Sequence, residues 1–179
     1  MSGKIWVYSD AHFYHSNIVK FTVDDKGTKL RPWDTVEDMN EDMIAWYNEL
    51  VDDGDRVYML GDMSFSPQLM VRSISRLKGR KVLIPGNHDP KGMKKYIHLF
   101  DDVRGYVQRQ GFIMSHIPIH PGSMGRWKVN IHGHLHANRV EEIGYDGSAD
   151  PRYYCACVER TNFRPKLLDD ILTEVGLKP

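Results

Sequence analysis

The stretch Lys81-Val82-Leu83-Ile84-Pro85-Gly86-Asn87-His88-Asp89 decides how the chain is read. Val82, Leu83 and Ile84 make a short buried strand. Pro85-Gly86 ends it, and an amide, an imidazole and a carboxylate follow at once. Moving outward, the same form recurs. Lys4-Ile5-Trp6-Val7-Tyr8-Ser9 runs into Asp10-Ala11-His12, and Arg56-Val57-Tyr58-Met59-Leu60 into Gly61-Asp62. The run 112–115 ends in His116, and 129–132 ends in Gly133-His134-Leu135-His136. Five strands thus present Asp, Asn or His at their carboxyl ends. In open α/β sheets that is where ligands sit.

Helices fill the gaps. Asp34 or Thr35 opens one with Met39, Met43, Tyr47 and Leu50 on its inner stripe. Ser66-Pro67 opens a second, with Met70, Ile74 and Leu77 facing inward and Gly79 at its end. A short helix is expected after Asp89-Pro90. The second half reads mostly as strands: 103–110, 112–115, 129–132, 140–145 and 153–158. Leu168, Ile171, Leu172 and Val175 mark a closing helix that Gly176 stops. Alternating strands and helices, then strands alone, predict an α/β fold.

Composition narrows the class. The 179 residues form a single domain, 1–179, long enough for a real core. Lys+Arg and Asp+Glu are 24 each, so the zero net charge argues against a partner such as long nucleic acid. No apolar run approaches a membrane span. Met1-Ser2-Gly3-Lys4 leads into the first strand without a signal-peptide pattern. Cys155 and Cys157 stand too close for a good mutual disulfide and read as reduced strand residues, which points to a cytoplasmic setting.

The groups at the strand ends form a consistent donor set. Asp10, His12, Asp62, Asn87, His116, His134 and His136 offer oxygen and imidazole without thiolate, a mix suited to Mn, Fe, Zn, Co, Ni or Mg. Seven donors are too many for one ion. Two ions sharing a carboxylate use them all, and such pairs serve in-line displacement at phosphorus. Gly61, Gly86 and Gly133 permit the sharp turns that aim these donors.

Asp10-x-His12, Gly61-Asp62, Gly86-Asn87-His88-Asp89, His116 and Gly133-His134-x-His136, in that order, resemble the calcineurin-like metallophosphoesterases. His12-Phe13-x-His15-x-Asn17-Ile18 and Arg31-Pro32-Trp33 are similar to a compact, uncapped subgroup found in bacteria and phages. The resemblance covers nearly the whole chain. It implies a four-layer α-β-β-α sandwich with two mixed β-sheets. It also implies two divalent cations, Mn²⁺ foremost. Asp10, His12, Asp62 and His136 would hold the first, and Asp62, Asn87, His116 and His134 the second. A hydroxide between the ions would attack a small phosphorylated substrate, a phosphodiester above all. His88 would protonate or stabilise the leaving group, with Asp89 accepting its other ring proton.

The remaining groups are less determined. His15 and Asn17 read as support for the ligands or as substrate contacts. Arg31 and His120 are further substrate candidates, with Lys91, Lys94, Lys95 and Arg126 as extra phosphate binders. His132 points away from His134 and reads as structural, and His98 as surface. A non-catalytic, protein-binding scaffold of the same fold is the alternative, and a homo-oligomer stays open.

Overall fold

The computed structural model describes residues 3–142 and 147–178. In chain order the elements are β1 (Ile5–Tyr8), α1 (Val36–Leu50), β2 (Arg56–Met59), α2 (Pro67–Ile74), β3 (Arg80–Leu83) and β4 (Asp102–Val103). Then come β5 (Val107–Arg109), β6 (Phe112–Ser115), β7 (Val129–His132), β8 (Tyr153–Cys155), β9 (Lys166–Leu167) and α3 (Leu168–Glu174). One sheet has the order β4-β3-β2-β1-β9 and the other β5-β6-β7-β8. Both are mixed, because β9 and β5 run antiparallel to their neighbours.

Register positions the site. Tyr8 lies opposite Met59, and Met59 opposite Leu83. In the second sheet Ser115 lies opposite His132, and His132 opposite Cys155. The parallel strands therefore end level with one another. The two sets of carboxyl ends meet where Ser9 bridges Cys157 and the Val158 N–H donates to the Ser9 carbonyl at 3.1 Å.

Side chains alternate with period two and build two cores. Trp6, Tyr8, Val57, Met59 and Leu83 face α1 and α2, which supply Met39, Met43, Ile44, Tyr47, Met70 and Ile74. Val7, Tyr58, Leu60, Val82 and Ile84 face the other way, against Phe112, Met114, Val129 and Ile131 of the second sheet. Leu168, Ile171 and Leu172 of α3 join that inner core. Helix α1 starts at Thr35, whose hydroxyl accepts from the Asp38 N–H at 3.1 Å, a cap worth about 1 kcal/mol. The outer face of the second sheet buries Ile113 and Asn130. There Asn130 Oδ1 accepts from Ile119 N at 2.9 Å, within the loop that carries the 3₁₀ turn Pro121–Ser123. The chain is thus an α/β sandwich of two mixed sheets. On the second side the covering layer is thin and includes this loop. Among the described residues no helix is long and apolar enough to cross a membrane.

Several boundaries differ from expectation. The strand read at 103–110 is two strands in different sheets, because the chain leaves β4 through Arg104, bonded to Asp102, and enters β5 only at Val107. Helix α2 stops at Ile74, where the Ser73 and Ser75 hydroxyls bond back to backbone carbonyls one turn earlier. After Pro90 come two 3₁₀ turns, Met93–Lys95 and Ile97–Leu99, instead of one α-helix. β8 ends at Cys155, and Val158 opens another 3₁₀ turn. The strand read at 140–145 lies partly outside the described residues, and Glu141 makes only a lone bridge to Ala149.

Candidate metal centre

The turns after the strands are tightly wound. Asp10, His12, Asp62, His134 and His136 have φ of +58°, +49°, +54°, +70° and +53°. Each such non-glycine residue costs of order 1–3 kcal/mol and persists only when its surroundings hold it. Hydrogen bonds do so here. Asp10 N donates to the Gly61 carbonyl and His12 N to the Asp62 carbonyl, both at 3.0 Å. His134 N donates to Asp10 Oδ2 at 2.9 Å, and His136 N to Cys157 Sγ at 3.2 Å. Glycine is required where turns stack. A Cβ on Gly86 would overlap the Asp62 carboxylate and backbone, and one on Gly133 would overlap Ser9 Oγ and Asp10 Oδ2.

The turns gather two groups of donors. In Asp10, His12 and His136, one ligand atom from each lies within 4.8 Å of the others, and the same holds for Asp62, His116 and His134. Asp62 stands between the groups. Its Oδ2 is 3.8 Å from His12 Nε2 and 3.3 Å from His116 Nε2. Asn87 joins the second group, with Oδ1 2.8 Å from His116 Nε2. Both groups could hold metal ions.

The protonation chemistry agrees. Burial, reinforced by the Arg31 charge, pushes His12 down to about 3, so its ring is neutral. Neither His12 nitrogen has a hydrogen-bond partner among the described residues. A buried, neutral, unpartnered imidazole is a ready cation ligand. His116 places Nδ1 2.7 Å from the Leu60 carbonyl, which fixes that nitrogen as the donor and turns the Nε2 lone pair toward Asp62. Burial lowers the His116 pKa, but the Asp62 bond and the Asp10 and Asp62 charges outweigh it and raise it overall. A cation would replace that proton.

A carboxylate not anticipated from the sequence completes the centre. Glu159 Oε1 accepts from His136 Nδ1 at 3.0 Å, turning His136 Nε2 toward the first group. The same oxygen accepts from Arg31 Nη2 at 2.7 Å and Nε at 2.9 Å. Burial alone would raise the Glu159 pKa, yet the Arg31 charge and His136 bring it down to about 2. The signal was legible: Glu159 closely follows a strand, as the other site residues do.

Two expected roles are corrected. Arg31 is not a substrate contact. Its guanidinium is fully buried and donates to Glu159 and to the Asp10 and Ala11 carbonyls, each of the latter at 2.7 Å. It clamps the Asp10 turn from behind. Asp89 does not orient His88. Its carboxylate accepts from the backbone N–H groups of Asp62 at 3.0 Å, Met63 at 2.8 Å and Gly86 at 2.8 Å. Burial leads in raising its pKa to about 6. Asp89 ties the ends of β2 and β3 together and so positions Asp62.

His88 is exposed over the centre, its backbone N–H donating to Asp62 Oδ1 at 2.7 Å and its ring centroid 5.7 Å from that of His12. His15 stands beside it, 6.0 Å from the His12 ring. Asn17 is exposed and accepts from Lys20 Nζ. His120 is exposed too and caps the 121–123 turn by accepting from Gly122 N at 3.1 Å. His132 is buried, with Nδ1 2.7 Å from the Gly133 carbonyl. Both cysteines are free and buried, and Cys157 Sγ donates to Asp10 Oδ2 at 3.2 Å.

No family model matches the sequence. The structure described as the protein of unknown function AQ665 from Aquifex aeolicus is similar in fold. Its TM-score is 0.65 at 21% identity, covering 96% of this chain and 99% of that one. The uncharacterized protein MJ1445 of Methanocaldococcus jannaschii is 33% identical over 172 residues, which is 94% of this chain and 89% of the archaeal one. Identity at that level along nearly all of both sequences places the chain in the same family as the archaeal protein.

Proposed function

We propose that the chain is a metal-dependent phosphoesterase of the calcineurin-like metallophosphoesterase type, acting on small phosphate esters and foremost on diesters. The observation that carries the reading is the Asp62 carboxylate set between two His/Asp groups. Asp10, His12, Asp62 and His136 would hold one ion; Asp62, Asn87, His116 and His134 the other. Their all-oxygen and imidazole chemistry suits Mn²⁺ best, with Fe, Ni, Co, Zn or Mg as alternatives. Bound there, the cations supply Lewis acidity toward a phosphoryl group and make a nearby water more acidic.

The chain's own residues do the rest. Leu60 and Glu159 hold His116 and His136 in one tautomer, so each presents Nε2 inward. Asp89, Gly86 and the His88 N–H fix the Asp62 turn. His88, free of such duties at its ring, is placed to donate a proton to a departing oxygen.

The test begins with metal-stripped protein, then adds Mn²⁺ and screens phosphomonoesters, diesters and cyclic nucleotides. Turnover that appears with Mn²⁺ and disappears with chelator supports the reading. Full turnover after complete metal removal refutes metal dependence. Absence of turnover on every class, with both sites loaded, refutes the phosphoesterase.

A further inference from the structure

Three large apolar side chains beside the site are exposed to solvent. Phe21 is 47% exposed, Val23 49% and Phe65 40%. Phe65 stacks on His12, with centroids 5.3 Å apart and planes at 29°, and lies 5.0 Å from His88 and 4.6 Å from His15. His15 in turn meets Phe21 edge-on at 5.8 Å. An aromatic run, Phe21–His15–Phe65–His88, thus borders the first His/Asp group.

Beside it opens a cavity of about 370 Å³ lined by Phe21, Val23, Leu30 and Leu135, together with the metal-group residues His134 and His136. That volume falls in the small-molecule range. Its wall is built, not loose. Leu30 N donates to the Phe21 carbonyl at 2.8 Å and Val23 N to the Thr28 carbonyl at 2.9 Å. Asp24 closes the hairpin tip by accepting from Thr28 and Lys26. No Lys, Arg, Asp or Glu lines the cavity. A second phosphate would find no Lys or Arg there, and besides His134 and His136 the polar side chains on the lining are the neutral Thr22 and Asn138. Phe21 on the lining, continued by His15, Phe65 and His88 at the border, favours a flat ring, since stacked and edge-on pairs gain beyond simple area burial.

We propose that this cavity and its aromatic border form a subsite for a planar aromatic arm of the phosphate ester, an aryl group or a nucleobase. The proposal rests on the phosphoesterase reading and adds the substrate class to it.

Phosphonates test it, because their C–P bond allows binding to be read without turnover. Calorimetry on the Mn²⁺-loaded chain would compare methyl-, cyclohexyl- and phenylphosphonate with an adenine nucleoside phosphonate. Phenyl should bind about three- to ten-fold tighter than cyclohexyl, which has similar apolar area but no flat face. Phe21→Leu, which keeps apolar bulk, and Phe65→Ala should each shrink that ratio toward one. A nucleoside phosphonate that exceeds phenyl assigns the arm to a base; one that falls below assigns it to a simple aryl group, and either supports the subsite. Equal affinities for phenyl and cyclohexyl overturn it. If inorganic phosphate and methylphosphonate also fail to bind, the phosphoesterase reading itself falls, and the subsite with it.

Discussion

At Glu159 a single carboxylate takes the charge of Arg31 and the Nδ1 proton of His136. Glu159→Gln keeps the shape and removes the charge. It should weaken metal binding by about 10–100-fold, as loss of a ligand's supporting partner commonly does. Titration calorimetry with Mn²⁺ checks this, and unchanged affinity would contradict the role. Stability gives an independent readout. The folded pKa is about 2 against an ordinary 4.5, so the unfolded chain takes up this proton first. The contribution is complete above pH 4.5 and is lost as pH falls toward 2. Urea unfolding of metal-free protein should therefore show a shallower acid loss for Glu159→Gln than for wild type over that window. His88 makes the contrasting case. His88→Asn should retain metal and lose about 10²–10⁴-fold on an alkyl phosphate ester, whose leaving oxygen needs a proton. It should lose much less on a p-nitrophenyl ester. Equal losses would make its role purely electrostatic.

Between strand and ligand, short turns do the positioning, and they are where element-level tests belong. Gly86→Ala would drive a Cβ into Asp62, against its backbone nitrogen and against a carboxylate that the His88 N–H holds in place. It should cost on the order of 1–3 kcal/mol and sharply reduce metal uptake, as thermal melts and elemental analysis would show. Wild-type uptake in that variant would mean the turns need not stack so closely. These turns also explain what could be read in advance. Asp10, His12, Asp62, Asn87, His116, His134 and His136 are legible because each stands within a few residues of the end of an apolar run. The work of Arg31 and Asp89 is not legible in the same way. A buried guanidinium and a surface one have the same letter, and only the fold shows that Asp89 faces the backbone of residues 62 and 63. The break between β4 and β5 was illegible for a related reason. The apolar pattern runs across it, and sheet membership is a tertiary choice.

Across the whole molecule, each donor group draws on both sheets. Asp10 and His12 follow β1 while His136 follows β7; Asp62 follows β2 while His116 and His134 follow β6 and β7. Bound cations would therefore cross-link the sandwich at the end where its sheets meet. Mn²⁺ at 100 times its dissociation constant should add about 2.7 kcal/mol per independent site, seen as a raised melting temperature that chelator reverses. No shift at saturation would contradict ions that bridge the sheets. The claim beneath all of this is the shared carboxylate, and anomalous scattering from Mn²⁺-soaked crystals reads it directly. Two peaks about 3.5–4 Å apart, one on each side of Asp62, are predicted. Asp62→Ala should lose both. A single fully occupied peak, or two peaks with Asp62 on neither, would contradict the account.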